Sequence, residues 1–200
     1  LHLPITVIHR QTSPTSVGRC IPSPKWIESN DGQVDAHFIN LDNSVDRRDF
    51  MTRQLQFCPG SVSREPAVSC EDLSRSPFVE MTQDQSVAPW ISHDSQTRCG
   101  TIACWWSHVR LLENLRTSEG ADIALILEDD VVFEVGWLDR LNDALQKAPP
   151  GWDVLKICAW GDTRESDRVD DDWFVPREPF AENGHLYYAG TCGYFVRRSS

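Results

Sequence analysis

The segment "ALILEDDVVF", Ala124 to Phe133, constrains this chain more than any other. Its uninterrupted apolar run reads as a strand covered on both faces, the pattern of a parallel strand inside an α/β sheet. The run ends abruptly in Glu128, Asp129 and Asp130, after which apolar residues resume. Carboxylates crowded against a buried strand repel one another and lose hydration, so they need compensating positive charge or access to water. In open α/β sheets, ligands bind at the carboxyl ends of the strands. The acids therefore stand where a ligand is expected.

The flanking segments repeat the alternation of strand and helix. "AHFINL", Ala36 to Leu41, has strand composition; "DNSVDRRDFMTRQLQF" then reads as a helix with Ser44 as N-cap and Val45, Met51 and Leu55 near one face. "SREPAVSC" reads as a short strand, and Glu71 to Cys99 as a long polar loop over a sheet edge. "GTIACWWSHVRLLENLRTSEG" is the clearest helix, with an apolar stripe of Ile102, Trp105, Trp106, Val109, Leu112 and Leu115 and a stop at Gly120. "GWLDRLNDALQKAPPG" follows as an amphipathic helix with Trp137, Leu141 and Leu145 inward, ended by Pro149 and Pro150. "WDVLKICAW" is a further buried strand, an acidic loop spans Gly161 to Asp172, and "HLYYAGTCGYFVRR" is strand-like. Alternating strands and helices imply an α/β domain with a mainly parallel sheet. Residues 1–33 are rich in Ser, Pro and Thr, with "LPITVI" as their only apolar run, and read as an irregular extension before a single domain over residues 34–200.

A net charge of -11 argues against a nucleic-acid or anionic-membrane partner, since phosphate backbones require clustered Lys and Arg. No apolar stretch approaches the roughly 20 residues that cross a bilayer, so no transmembrane segment is expected. The seven cysteines are odd in number and lack CxxC spacing; they tilt the expected compartment toward a secretory lumen over the cytoplasm. The start at Leu1 and the absence of a signal-peptide pattern give the expectation of a fragment or a processed chain.

Carboxylates at a strand end suit Mg²⁺ or Mn²⁺, which take oxygen ligands and leave positions for substrate phosphates. If the strand stays extended, Glu128 and Asp130 point the same way and could share one cation, while Asp129 points opposite. The alternative is a solvated turn or an acid-rich helix start. A Walker B strand has a similar pattern, but no GxxxxGK[ST] loop precedes it and no GxGxxG is present, so both nucleotide hydrolysis and dinucleotide binding fall away. Cys104 and His108, at i and i+4 with Cys99 nearby, offer half a zinc site without the full ligand spacing. Trp105 and Trp106 read as core.

"FINLDNSVDRRDFMTRQL", "REPAV", "GTIACWWSHVRLLENL", "ALILEDDVVF" and "YYAGTCGYFVRR" together, in that order, resemble glycosyltransferase family 25, which includes lipooligosaccharide and procollagen galactosyltransferases. The resemblance implies a GT-A type fold, a UDP-sugar donor such as UDP-galactose, a glycan or glycoprotein acceptor, and inversion. It also implies a Mn²⁺ or Mg²⁺ ion held by Glu128 and Asp130. On the matching motifs, Asn40, Leu41, Arg47, Arg48, Arg64, Ser107, His108, Asp129, Gly190 and Thr191 become donor-binding residues. Of the adjacent Arg47 and Arg48, at least one is expected to be merely exposed. Asp130 and Asp162 become the catalytic residues; Glu165 and Asp170 to Asp172 are further acids from which a base could come. The chain has Gly100-Thr101 where the family commonly has Gly-Glu, and it stops where the family continues, as a C-terminally truncated copy would. Both departures keep open a second reading, an inactive relative that binds sugar nucleotides or glycans.

Overall fold

The computed structural model describes residues 5–8, 34–74, 95–149, 151–157, 166–168, 173–176 and 191–198. Its strands are β1 (Ile5–Ile8), β2 (Val34–Asn40), β3 (Val62–Pro66), β4 (Ile123–Glu128), β5 (Val154–Lys156), β6 (Ser166–Arg168), β7 (Trp173–Pro176) and β8 (Gly193–Arg197). The helices are α1 (Val45–Leu55), α2 (Cys70–Ser74), α3 (Ser95–Thr117) and α4 (Trp137–Gln146). All the strands join one eight-stranded sheet in the order β3-β2-β4-β8-β5-β1-β7-β6.

β2 pairs in parallel with β3 and with β4, and β1 in parallel with β5. β8 lies antiparallel between β4 and β5, and β7 is antiparallel to β1 and β6. The sheet is therefore mixed, with β7 and β8 running against the rest. The apolar run of the N-terminal stretch, expected as irregular, supplies β1.

β4 sits between neighbours on both sides, and the period of two divides its side chains between two cores. Ile123, Leu125 and Leu127 join Val34, Ala36, Phe38, Met51, Leu55, Leu155 and Phe195 on one face, where Trp137, Leu141 and Leu145 of α4 pack. Ala124 and Ile126 meet Leu111 and Leu115 of α3 and Tyr194 of β8 on the other. That double burial is why the segment is apolar without interruption.

The helices depart from expectation in register rather than in existence. Met51 and Leu55 of α1 are buried as predicted, but Val45 is exposed and Ser44 makes no side-chain cap bond. On α3 the buried stripe is Ile102, Ala103, Ser107, His108, Leu111 and Leu115, which turns Trp105 (50% exposed) and Leu112 outward. The loop expected over Glu71 to Cys99 contains α2 and the start of α3, tied by a Cys70–Cys99 disulfide. Ser69 and Asp72 exchange hydrogen bonds around the first turn of α2, a short capping box.

At the far end of the sheet from the acidic turn, the Asp35 carboxylate accepts hydrogen bonds from the Ser61 hydroxyl (2.6 Å), the Ser61 amide (3.2 Å) and the Ala121 amide (2.9 Å), with Arg198 at 3.7 Å. Burial pushes its pKa up, but these donors and the Arg198 charge outweigh burial and leave it below the usual value. A depressed folded pKa contributes stability above the unfolded value of 3.8, and loses it as pH falls through the lower folded value. Asp35→Asn is thus expected to unfold at lower urea than the parent at pH 7, with the gap closing as pH drops below 4; a gap independent of pH would refute the assignment.

Candidate functional site

Parallel register places Ile39 of β2 opposite Glu128 of β4, so the next residues, Asn40 and Asp129, leave the two strands side by side. Asn40 is 1% exposed and fully engaged. Its amide nitrogen donates to Asp129 Oδ2 at 2.7 Å and to the Ser44 carbonyl at 3.0 Å; its side-chain oxygen accepts from Arg64 Nε at 3.0 Å. Arg64 also donates to the Asn40 carbonyl and pairs with Asp42. Arg47, in the first turns of α1, reaches Asp129 Oδ1 at 3.0 Å and lies 4.0 Å from Asp130 Oδ2. The positive charge that the crowded acids require is therefore supplied by Arg47, while Asp130 keeps a side chain 58% exposed.

Glu128 faces the other way. Its Oε1 accepts from the Thr191 hydroxyl and from Cys104 Sγ at 3.7 Å, and His108 Nε2 stands 3.4 Å away. His108 is buried beneath α3, its Nδ1 2.9 Å from the Tyr194 hydroxyl, while Nε2 has no hydrogen-bond partner of good geometry. Cys104 Sγ, His108 Nε2 and a Glu128 carboxylate oxygen all lie within 4.8 Å of one another, a group with the composition of a metal site. Burial pushes Glu128 up, but His108 and Thr191 outweigh it, leaving the carboxyl below its ordinary pKa. Burial and then the Glu128 charge push the Cys104 thiol up to about 11, and raise Tyr194 as well. Burial pulls Lys156 down to about 8 against the attraction of Glu128. Both hydroxyl and thiol thus stay protonated at neutral pH.

Glu128 and Asp130 do not share a direction as an extended segment would make them. Asp129 and Asp130 form a turn, so the alternation ends at Glu128. Cys99 is not available to Cys104 and His108, because it is bonded to Cys70; Glu128 stands in the third place. Ser107 is buried away from the acids, accepting from the Val68 amide and donating to the Ala103 carbonyl. Among the described residues the Arg48 guanidinium pairs only with Asp49, at 4.0 Å, and Leu41 is exposed beyond β2. Gly190, Asp162, Glu165 and Asp170 to Asp172 lie outside the described residues. Beside the turn, Val131, Phe133, Trp137, Leu141 and Ile157 line a cavity of about 190 Å³, with the Phe133 and Trp137 rings stacked at 4.0 Å. Tyr194 and Lys156 were not singled out by sequence; each reaches the site only through strand pairing, which nothing local in "GYFV" or "VLK" announces.

The family description "Glycosyltransferase family 25 (LPS biosynthesis protein)" matches residues 34–200, and the chain belongs to that family. A "Glycosyltransferase 25 family member" from Anopheles gambiae is 26% identical over 165 residues, which cover 80% of this chain but 26% of that protein. The chain thus spans about a quarter of the length of that relative.

Truncating Asn40 strands Asp129 and Arg64 without their shared partner. Asn40→Ala is expected to lower the unfolding free energy by about 1–3 kcal/mol, the cost of buried polar groups left unpaired. Urea titration followed by tryptophan fluorescence measures it, and a loss within about 0.5 kcal/mol, the range of ordinary surface substitutions, would remove Asn40 from the centre of this network.

Proposed function

We propose that this domain transfers a hexose, galactose from UDP-galactose in the first instance, to a hydroxyl of a glycan or glycoprotein, with inversion and on a GT-A type scaffold. Family membership supports the transferase; the acidic turn, open to solvent and flanked by Arg47, supports a nucleotide-diphosphate donor there. Arg47 is 58% exposed on its side chain and presents a guanidinium that can turn from Asp129 to a diphosphate oxygen. Asn40 and Arg64 hold the turn from below, so that Asp129 stays in place when Arg47 moves.

The family implies a hard divalent ion, Mn²⁺ or Mg²⁺. Asp130 suits it, as an exposed oxygen donor with room for phosphate oxygens and water. Cys104, His108 and Glu128 do not suit it, because a thiol is a poor ligand for hard cations. Bound at the diphosphate, such an ion stabilises the charge that develops on departing UDP. Among the described residues no helix is long and apolar enough to cross a membrane. The Cys70–Cys99 disulfide supports an oxidising compartment such as the secretory lumen.

Equilibrium binding of UDP, with and without Mn²⁺, and UDP release from a panel of UDP-sugars test the reading. Asp130→Ala is expected to weaken Mn²⁺-dependent UDP binding by about 10- to 100-fold or more, at least the loss seen when support to a metal ligand is removed. Unchanged UDP affinity would refute the role of Asp130. Mn²⁺-dependent UDP binding without turnover of any donor would favour the inactive binding module.

A further inference from the structure

Glu128 departs from the acidic turn to join two residues of a different helix, and the chemistry of that trio differs from the chemistry of the turn. Cys104 and His108 stand one helical turn apart on α3, so their side chains share a face. Glu128 closes the third side from the end of β4. We infer that Cys104, His108 and Glu128 form a second metal site, one that takes a borderline cation of the zinc class through sulfur, nitrogen and oxygen. It is separate from the oxygen-only position at Asp130, and it stands whether or not the donor reading holds.

The distances carry the inference. With metal–sulfur, metal–nitrogen and metal–oxygen bonds of about 2.3, 2.05 and 2.0 Å, a tetrahedral site sets sulfur about 3.5 Å and nitrogen about 3.3 Å from the carboxylate oxygen. Cys104 Sγ is 3.7 Å and His108 Nε2 3.4 Å from Glu128 Oε1. These two distances match the site, and the sulfur and nitrogen lie within 4.8 Å of each other, so side-chain rotation would bring the three atoms onto one cation.

An independent observation points to the same ligand. His108 has 6% of its side chain exposed, and its Nε2 is buried and aimed at the trio, facing Glu128 Oε1 at 3.4 Å without a hydrogen bond of good geometry. A buried polar nitrogen without a partner is uncommon in a folded protein, and a metal would satisfy it. The opposite nitrogen is already arranged for this: Nδ1 lies 2.9 Å from the Tyr194 hydroxyl. With the ion bound, Nδ1–H would donate to that oxygen and leave the lone pair on Nε2 for the metal, the support that metal-bound histidines commonly receive. Charge also closes, because one thiolate, one carboxylate and a neutral imidazole balance a divalent ion. The thiol proton leaves to solvent when the ion binds. Thr191, exposed and 3.9 Å from Cys104 Sγ, borders the remaining corner, so a fourth position opens to water or to a substrate oxygen. Three protein ligands with one open position is the pattern of reactive zinc sites rather than closed structural ones.

Cobalt substitution tests the site without any assay of transfer. The chain, stripped of metal by a chelator with its disulfides intact, is titrated with Co²⁺ and followed by absorption. One equivalent should bring up the near-ultraviolet thiolate-to-cobalt band together with the visible bands of four-coordination, and Zn²⁺ should displace both. Cys104→Ser, its fold checked by circular dichroism, should abolish the near-ultraviolet band and weaken binding by about tenfold or more. Asp130→Ala should keep the band. No thiolate band at saturating Co²⁺ would overturn the inference and leave the trio as a hydrogen-bond network. Persistence of the band in Cys104→Ser would equally overturn it, assigning the sulfur to another cysteine, such as Cys58, the other free one among the described residues.

Discussion

The hydrogen bond from Asn40 to Asp129 is the contact on which the rest of the site depends. It joins the ends of two adjacent parallel strands, and through the same side chain it reaches the carbonyl that begins α1 and the guanidinium that rises from β3. An aspartate at the end of a strand as apolar as β4 would otherwise face lost hydration and the charge of its neighbours. Asn40 answers the first problem with a short donor, and Arg47 the second with a counter-charge. Because α1 begins where Asn40 holds it, Arg47 is delivered to the acids by backbone position rather than by a search of its long side chain.

The same strand geometry separates two kinds of chemistry. Leu127 and Glu128 point to opposite faces, one toward the core beneath α1 and α4 and one toward α3. Had β4 run one residue further before turning, Asp130 would have followed Glu128 toward α3. The turn at Asp129 and Asp130 instead leaves one carboxylate beneath a helix, near a thiol and an imidazole, and sets the others at the surface beside an arginine. Adjacent residues of one motif thus occupy sites of unlike hardness.

Much of this was legible in the sequence, for physical reasons that can be named. β4 was clear because burial on both faces leaves no polar position in "IALIL", and α3 because its length and Gly120 stop exceed what a strand allows. The counter-charge was legible in part: Arg47 and Arg48 were adjacent, and only tertiary structure shows that Arg47 meets Asp129 while Arg48 meets Asp49. Register within α3 was misjudged because Trp105 and Leu112 are apolar yet exposed, whereas His108 and Ser107 are polar yet buried. A hydrophobic stripe cannot find residues whose burial is supported by hydrogen bonds, as Ser107 is by the Val68 amide and His108 by Tyr194. The pairing of Cys99 with Cys70 was hidden for a similar reason, since proximity in sequence to Cys104 outweighed a partner 29 residues away.

Charge sets what so acidic a chain would need in order to hold the anionic donor proposed for it. At a net charge of -11 the mean field repels a diphosphate, so attraction must be local. Arg47 supplies one positive group at the turn, but Asp129 already occupies it. On the proposed function, a diphosphate would need a cation at Asp130 before Arg47 could be released to it, and metal and donor binding at this turn would then be mutually dependent. Glu128 stands apart from the turn, because Thr191, Cys104 and His108 surround its Oε1 on the opposite face. The division of "LEDD" between two faces thus sets Asp129 and Asp130 beside Arg47 and Glu128 beside α3.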